Sequence, residues 1–152
     1  MSRFRLTLDS DLSDVFAVSA MVRGVCEHLA MDATRAYSVE LCAVEAVTNS
    51  IRHAYGGAPG REVTLDVYFD HERLSLGILD SGVPMPQENI DQLVNGSGVF
   101  DFDPNNLDGL PEGGMGLEIM RQRMDEVVYS IGHEHNCLLL TIFLQPETEI
   151  KR

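Results

Sequence analysis

Glycine and proline concentrate in one internal segment of the chain, and this segment limits what the rest can fold into. Four of the six prolines and most of the glycines fall within residues 81–116. Both residue types interrupt helices and strands. Apart from a short helix predicted over 87–94, the segment is therefore predicted to be a long loop, which in a compact domain is usually functional or disordered. All other regular structure is confined to the sequence on either side.

The flanking sequences carry clear periodicities. Apolar residues alternate in the predicted strands and recur at helical spacing in the predicted helices. A glycine and proline cluster at 56–60 ends the second helix, and two strands joined by a tight turn predict a hairpin. In chain order the predicted elements are a strand over 3–9, helices over 12–30 and 35–55, strands over Glu62–Phe69 and 73–79, a helix over 117–124, and strands over 127–131 and 137–144.

This order predicts the fold class. Neighbouring strands mixed with helices are typical of a two-layer α/β (α+β) sandwich, in which helices cover one face of a mixed, mostly antiparallel sheet. The sequence contains no internal repeat and no linker. A length of 152 residues suits one domain, and 44% hydrophobic residues are enough to form a core. We therefore expect a single domain over 1–152.

The chain is acidic and almost free of lysine. It has 24 Asp and Glu against 11 Lys and Arg, a net charge of −13, and Lys151 is its only lysine. Nucleic acids and anionic membranes favour basic surfaces, so we expect protein partners and neither of those polyanions. A P-loop lysine, a Schiff-base lysine and the lysine of eukaryotic-type kinases are all excluded. Any phosphate chemistry must use other groups.

The cysteines and the N-terminal sequence indicate a compartment. Cys26, Cys42 and Cys137 are odd in number and widely spaced in apolar sequence, which is typical of reduced thiols. The start of the chain has no signal-peptide core, and no apolar run is long enough to span a bilayer. We therefore expect the protein in the cytoplasm.

The second predicted helix carries a polar stripe. Glu45, Asn49 and Arg52 fall at i, i+4 and i+7, with His53 on the flank of the stripe. A carboxylate and a carboxamide one turn apart suit Mg²⁺ chemistry, although such a stripe is also typical of a solvated helix face. The residues expected on the opposite face, packing on the sheet, are Leu41, Val44, Val47 and Ile51.

Two glycine-containing segments complete a candidate nucleotide site. Asp80 ends a predicted strand and is followed by a turn in which Gly82 allows a ligand to approach the backbone. The run 113–116 opens a helix, whose N-terminal amides attract anions, and it contains three glycines where a helix cap needs one. These features predict a nucleotide site in which Asp80 binds the base of the nucleotide and the glycines bind its phosphates. Asn49 is predicted to bind a metal ion, and Glu45 to take part in the reaction.

The segments share a fixed order over nearly the whole chain. They read Glu45-x-x-x-Asn49-x-x-x-His53, Asp80-x-Gly82-x-Pro84 and Gly113-Gly114-x-Gly116-Leu117. This combination resembles the ATP-binding domain shared by gyrase, the ninety-kilodalton heat-shock chaperone, histidine kinases and MutL, the GHKL superfamily. Within it, the chain is most similar to bacterial anti-sigma-factor serine/threonine kinases of the RsbW type. The resemblance implies a Bergerat-type ATP-binding fold.

The resemblance also implies roles for residues. Glu45 matches the catalytic base and Asn49 the Mg²⁺ ligand, while Asp80 matches the aspartate that binds the adenine amino group. Gly82 matches a glycine that lets the chain pass close to the ring, and 96–112 corresponds to a mobile ATP lid. The cofactor-binding residues so assigned are Asn49, Arg52, His53, Asp80, Gly82, Pro84, Gly113, Gly114, Met115, Gly116 and Leu117.

The implied activity is transfer of the ATP γ-phosphoryl group to an anti-anti-sigma, STAS-domain protein. The implied partners are that protein and a sequestered sigma factor or other regulator. Relatives are commonly dimers, so the N-terminal strand and the first helix are candidate contact surfaces. Two alternatives remain open: a nucleotide-binding antagonist with little phosphoryl transfer, and a histidine-kinase catalytic domain, for which the sequence offers no phosphoacceptor helix.

The sequence departs from its relatives in two places. Between Arg73 and Arg121 it has no Lys or Arg, so phosphate charge must be neutralised by Mg²⁺, the glycine amides and Arg52. We therefore predict strict Mg²⁺ dependence and weak binding of free ATP. In addition, Asn136 precedes the last strand where many relatives have a Gly-Thr pair, which puts a role for Thr141 in the adenine pocket in doubt.

Overall fold

A computed structural model describes residues 1–95 and 115–144 of the chain, so the predicted lid and the C-terminal tail lie outside the described residues. The described part forms strands and helices in the predicted order. They are β1 (Ser2–Asp9), α1 (Phe16–His28), α2 (Ala33–Asn49), β2 (Glu62–Phe69), β3 (Arg73–Asp80), α3 (Gln87–Asn95), α4 (Met115–Arg123), β4 (Glu126–Ile131) and β5 (Asn136–Phe143).

The five strands form one sheet in the order β1-β2-β3-β5-β4. Every pairing among the described strands is antiparallel, so the sheet expected to be mixed has no parallel pair in this part of the chain. β5 lies between β3 and β4, which sets the first residue of β5 beside the last residue of β3. The candidate site lies at this end of β3 and β5.

Alternation along the strands separates a core face from an outer face. Leu74, Leu76 and Ile78 of β3 are buried against the helices, while the intervening residues point to the other side of the pleat. α1 and α2 contribute Val18, Val22 and Val47, all fully buried, to the same core. The two-layer α+β sandwich expected from the sequence is therefore confirmed.

The helix starts differ from those predicted, because capping side chains set them. Asp11 accepts from the Ser13 amide at 3.0 Å and begins a short 3₁₀ turn, Leu12–Asp14, so α1 starts only at Phe16. Asp32 accepts from the Arg35 amide at 2.9 Å and caps α2, which starts at Ala33 rather than at Arg35. A carboxylate at an N-cap satisfies an amide that has no partner within the helix.

The buried face of α2 is rotated relative to the prediction. Val47 and Ile51 are buried, as expected, but Leu41 and Val44 are only partly buried, and Ala43 and Ala46 are buried instead. α2 packs against α1 on one side and α4 on the other as well as on the sheet. Its polar stripe consequently borders the buried face and lies against α4.

The last turn of the predicted second helix is a π-helix, Ser50–Ala54. The Tyr55 amide donates to the Ser50 carbonyl at 3.2 Å, five residues back, which is the hydrogen-bond pattern of a π-helix. Such turns are frequent at functional sites. Here the wider turn changes which residues after Asn49 face the end of β3.

The outer face of the sheet carries a buried carboxylate. Asp66 is 3% exposed and accepts from Arg5 Nε at 2.7 Å and Nη2 at 2.8 Å. Arg3 Nη2 and the Tyr68 hydroxyl lie 3.5 and 3.3 Å from its Oδ2. The hydrogen-bonded guanidinium of Arg5 holds the pKa of Asp66 below its ordinary value, against the opposing effect of burial.

The cysteines are free, and Cys26 and Cys42 are buried. Burial raises the pKa of the Cys26 thiol to about 11 and that of Cys42 to about 12, so both are poor nucleophiles near neutral pH. Among the described helices, none has the length and apolar character needed to cross a bilayer.

Candidate functional site

A cavity of about 280 Å³ opens between the end of α2, the end of β3 and the start of α4. Its walls are mainly apolar, and its polar groups come from the α2 end, β3, α3 and β4. The lining residues are Ala46, Asn49, Ser50, His53, Ala54, Ile78, Asp80, Val83, Pro84, Met85, Pro86, Asn89, Leu117, Tyr129 and Leu138. An apolar cavity with a few convergent polar groups is the usual form of a small-molecule site.

Asp80, at the end of β3, is the buried carboxylate of this cavity. It is 7% exposed, and three donors hold it. Its Oδ1 accepts from the Gly82 amide at 3.1 Å and from Asn136 Nδ2 at 2.9 Å. Its Oδ2 accepts from Ser50 Oγ at 3.0 Å. All three donors are neutral groups.

Asn136 and Ser50 were not predicted as site residues. The β3–β5 register pairs Asp80 with Asn136, and Asn136 Nδ2 also donates to the Gly82 carbonyl at 3.0 Å. The available signal was the position of Asn136 directly before a predicted strand, where many relatives carry a Gly-Thr pair. Ser50 lies on the cavity wall because the helix changes to a π turn at this residue.

Thr141, the other candidate from this strand, lies on the opposite face of the sheet. Its hydroxyl is 2.9 Å from Ser75 Oγ, and the two residues are paired across β3 and β5. A strand alternates its side chains between the two faces, so Thr141 cannot reach a cavity on the helix side. Thr141 therefore does not contribute to the cavity on the helix side of the sheet.

Gly82 lies where a side chain would collide with the π turn. A Cβ on this residue would lie 2.3 Å from the Ala54 carbonyl oxygen. The next residue, Val83, donates its amide to the same oxygen at 2.9 Å. Because residue 82 is a glycine, the loop after β3 can lie directly against the last residue of the π turn.

Two tyrosine hydroxyls hold this loop. The Tyr55 hydroxyl accepts from the Ser81 amide at 2.8 Å and donates to the Glu62 carbonyl at 2.6 Å. The Tyr129 hydroxyl accepts from the Met85 amide at 2.9 Å, and burial raises the pKa of Tyr129. The loop that carries Pro84 is thus tied to β2 and β4 at both of its ends.

Glu45 and Asn49 meet the first turn of α4. A Cβ on Gly116 would lie 2.8 Å from Glu45 Oε2 and 3.4 Å from Asn49 Nδ2, so the backbone of this turn lies close to both side chains. Leu117, the next residue, is buried and lines the cavity. Gly113 and Gly114 lie outside the described residues, and Met115 begins α4.

The π turn reverses the expected positions of Arg52 and His53. Both residues are exposed, but His53, placed on the flank by α-helical geometry, lines the cavity, and Arg52 is not among the described residues that line it. A π-helix advances fewer degrees per residue than an α-helix, so the phase of the stripe changes after Asn49. Of the predicted site residues in the described part of the chain, those that line the cavity are Asn49, His53, Asp80, Pro84 and Leu117. Glu45 and Gly116 lie beside Asn49 without lining the cavity.

The conserved sequence profile of the histidine kinase-like ATPase domain matches residues 8–142, a span that contains every candidate site residue. The chain belongs to this family. The match and the relatives described below confirm the resemblance to RsbW-type kinases within the GHKL superfamily.

Relatives with known names support the finer placement within the histidine kinase-like ATPases. The serine-protein kinase RsbW of Bacillus cereus is 27% identical over 134 residues, which cover 88% of this chain and 79% of that protein. The serine-protein kinase RsbW of Staphylococcus aureus is 34% identical over 85 residues, 55% of this chain and 50% of that protein.

One solved structure supports the fold. A chain from the SiaB–SiaC complex of Pseudomonas aeruginosa superposes with a TM-score of 0.61 at 12% identity. The superposition covers 91% of this chain and 88% of that chain. At this level of identity the likeness concerns the architecture alone, and it agrees with the antiparallel sheet and helices described above.

Proposed function

We propose that this chain is a cytoplasmic, ATP- and Mg²⁺-dependent protein serine/threonine kinase, with residues 1–152 forming one ATP-binding domain. It phosphorylates an anti-anti-sigma, STAS-domain protein and, as an anti-sigma factor, sequesters a sigma factor or another regulator. One observation carries the proposal. Asn49 and the buried carboxylate of Asp80 line the same cavity, and Glu45 lies against Gly116 together with Asn49.

The Asp80 end of the cavity suits a purine. Ile78 and Leu138 provide apolar surface for a flat ring, and Asp80 provides an acceptor for the exocyclic amino group of adenine. Apolar walls supply most of the affinity of such sites, while a few fixed polar groups determine orientation. We assign ATP to this cavity with its base at Asp80.

The Glu45 end suits the phosphates. Asn49 lies on the cavity wall, and an amide oxygen is a ligand that Mg²⁺ accepts. The ion would neutralise phosphate charge. Amides in the first turn of α4 are oriented to bind an anion.

Glu45 is the base of the proposed reaction. It takes the proton of the substrate serine or threonine hydroxyl as the hydroxyl oxygen bonds to the γ-phosphorus of ATP. The bond from that phosphorus to its bridging oxygen breaks, and ADP leaves. A positioned base of this kind contributes about 10²–10⁴-fold to rate.

One observation favours the alternative, a nucleotide-binding antagonist with little phosphoryl transfer. No Lys or Arg is among the described residues that line the cavity, so the γ-phosphoryl group lacks a cationic side chain in this part of the chain. Measuring ATP binding and phosphate transfer on the same protein separates the two functions, because an antagonist binds ATP without transferring phosphate.

The test combines ATP binding with phosphate transfer. Wild type, Glu45→Gln and Asn49→Ala are incubated with labelled ATP, Mg²⁺ and STAS-domain proteins of the same organism, and ATP affinity is measured by calorimetry. We expect Glu45→Gln to bind ATP but to lose about 10²-fold or more of the transfer rate, and Asn49→Ala to lose both. Glu27→Gln, an exposed change on α1, is the control.

Two results would contradict the kinase assignment: wild type that binds ATP but labels no STAS-domain protein, or Glu45→Gln that transfers phosphate at the wild-type rate. The first result would favour the antagonist. Repeating the calorimetry with EDTA tests the metal, since we expect ATP to bind at least about tenfold more weakly without Mg²⁺.

A further inference from the structure

The contact between α2 and α4 joins Glu45 to a second charged residue. At the start of α4, Gly116 lies against Glu45. At the end of α4, Arg123 Nη1 donates to Ser38 Oγ at 3.2 Å, so the two helices run antiparallel. Glu45 and Ser38 are seven residues apart on α2, as are Gly116 and Arg123 on α4. Seven residues make two helical turns, so the Arg123 contact lies about 10 Å from Glu45 along the helices.

The guanidinium of Arg123 is held by an uncharged group. Arg123 is exposed, whereas Ser38 is buried. Ser38 Oγ donates its own proton to the Thr34 carbonyl at 3.1 Å, so the hydroxyl oxygen is left to accept from Arg123. Among residues 1–95 and 115–144, no carboxylate lies within 4.0 Å of this guanidinium. Its remaining N–H groups are therefore available to a partner.

Two other arginines of the helix layer are paired with carboxylates. Arg23 of α1 pairs with Glu40 of α2 at 2.7 Å, and Arg121 of α4 pairs with Glu118 at 3.1 Å. The chain has 24 acidic residues against 11 basic ones, so acidic partners are plentiful. Arg123 is instead fixed by a hydroxyl group, which orients the guanidinium but leaves its charge uncompensated.

A second arginine adds to this positive charge. Arg35 lies three residues before Ser38, on the same face of α2, and its Nη2 donates to the Phe143 carbonyl, another uncharged acceptor. Two carboxylates of this region bind backbone amides. Asp32 accepts from the Arg35 amide at 2.9 Å, and Asp125 accepts from the Phe143 amide at 2.6 Å. Neither is within ion-pair distance of the two guanidinium groups.

We propose that Arg123, assisted by Arg35, binds a carboxylate side chain of the protein substrate and thereby determines which hydroxyl reaches Glu45. The proposal rests on the proposed function, because it concerns the protein that receives the phosphoryl group. A guanidinium can bind a carboxylate through two parallel N–H donors. The substrate carboxylate lies about 10 Å from the acceptor hydroxyl, which equals about three residues of an extended segment or two turns of a helix.

The test is the KM for the protein substrate. Initial rates of phosphate transfer to the STAS-domain protein are measured at saturating MgATP for wild type and three variants of Arg123. We expect Arg123→Gln to raise KM about tenfold and Arg123→Glu about a hundredfold. Arg123→Lys should raise it about threefold, because an ammonium cannot bind a carboxylate through two parallel donors. The kcat should stay within about twofold of wild type, because Glu45 and Asn49 are unchanged.

Arg121→Gln is the matched control. It removes an exposed arginine from the same helix, but one already paired with Glu118. We expect KM to stay within about twofold of wild type. A rise equal to that of Arg123→Gln would show that any loss of positive charge from α4 has the effect, and would overturn the inference.

Salt supplies a readout that a merely structural role of Arg123 would not change. Raising the salt concentration from about 0.05 to 0.5 M should raise the KM of wild type several-fold, because exposed ion pairs are screened. The KM of Arg123→Gln should rise less. Equal salt dependence in the two proteins would contradict an ion pair with the substrate.

A charge exchange identifies the partner group. Each Asp or Glu of the STAS-domain protein that lies about 10 Å from the acceptor hydroxyl is changed to Arg, one at a time, and supplied to Arg123→Glu. We expect one of these substrates to have a KM at least about tenfold lower than the unchanged substrate with this variant. If none of them improves on the unchanged substrate, Arg123 has no carboxylate partner there and the inference is wrong.

The outcomes separate the two proposals. Wild type that binds the STAS-domain protein but transfers no phosphate contradicts the kinase assignment alone, and calorimetric affinities for that protein then replace KM in the same comparison. Wild type that transfers phosphate, with KM unchanged in Arg123→Gln, overturns the inference alone. Wild type that binds no STAS-domain protein contradicts both. If the Arg123 variants do not fold, Arg35→Gln decides, since we expect it to raise KM about threefold and an unchanged KM would overturn the inference.

Discussion

Two buried aspartates lie on opposite faces of the same sheet, and they are held in opposite ways. Asp66 of β2 is 3% exposed and Asp80 of β3 is 7% exposed. Asp66 is paired with the guanidinium groups of Arg5 and Arg3. Within residues 1–95 and 115–144, the donors to Asp80 are all neutral groups: a serine hydroxyl, an asparagine amide and a backbone amide.

The difference separates a structural carboxylate from one suited to a ligand. Two cations compensate the charge of Asp66, and its bonds connect β1 to β2 at their shared face. The neutral donors of Asp80 fix its orientation but supply no formal positive charge, so a donor group on a ligand gains from the remaining acceptor position. Burial alone thus does not identify a binding residue, whereas the charge of its partners distinguishes these two.

The largest expected effect is on nucleotide binding. Asp80→Asn replaces an acceptor with an amide and should weaken ATP binding at least about a hundredfold, equivalent to about 2.7 kcal/mol. Asp66→Asn, the same change on the other face, should leave ATP affinity within about twofold of wild type, because the cavity is on the helix side of the sheet. Calorimetric titration with MgATP measures both affinities. An equal loss of ATP affinity in the two variants would show that Asp80 is no more suited to a ligand than Asp66.

The next effect is on stability, and a glycine near each aspartate allows a matched comparison. Gly82→Ala would set a Cβ 2.3 Å from the Ala54 carbonyl oxygen, and overpacking of this kind lowers the free energy of unfolding by about 1–3 kcal/mol. On the outer face a Cβ on Gly77 would meet Asp66 Cβ at 3.7 Å, an ordinary contact. Gly77→Ala should therefore raise stability by about 0.5 kcal/mol.

Urea denaturation of both glycine variants, with Gly24→Ala as a control for a position with nothing within 4 Å, gives the free energies. A Gly82→Ala protein as stable as wild type would show that the loop after β3 can move away from the π turn without cost.

The smallest expected effect is a pH dependence of stability that comes from Asp66 on the outer face of the sheet. The pKa of Asp66 is below its ordinary value because of Arg5, so its ionised form stabilises the fold above about pH 4, and this contribution is lost as the pH falls toward the lowered pKa. Asp66→Asn should lower the melting temperature at pH 7 by about 3 °C, and the gap to wild type should shrink below about pH 4. A gap that stays constant down to pH 3 would contradict the assigned pairing.

Much of the fold was accessible from local patterns. β2 has the predicted bounds, and β3, α3, β4 and β5 lie within one residue of theirs, since alternation and turn residues are local signals. The spacing of Glu45 and Asn49 and the two glycine-containing segments likewise pointed to residues that line the cavity or lie beside it. The start of α2 was missed because Asp32, three residues before the predicted start, supplies the cap.

The partners of Asp80 were beyond local patterns. Asn136 is 56 residues away in sequence, and only the register between β3 and β5 brings it to Asp80. Ser50 and His53 depend on the π turn, whose formation is linked to the packing of Ala54 against the loop after β3. The rotated face of α2 has a similar origin, because contacts with α1, α4 and the sheet together decide which residues are buried.

The two tyrosines that hold the loop after β3 have a spectroscopic consequence. The chain has four tyrosines and no tryptophan, so its near-ultraviolet emission comes from tyrosine without energy transfer to an indole. Tyr129 lines the cavity, and the Tyr55 and Tyr129 hydroxyls hydrogen-bond the backbone of its loop. The unlabelled protein therefore carries an intrinsic fluorescent reporter at its own ligand cavity.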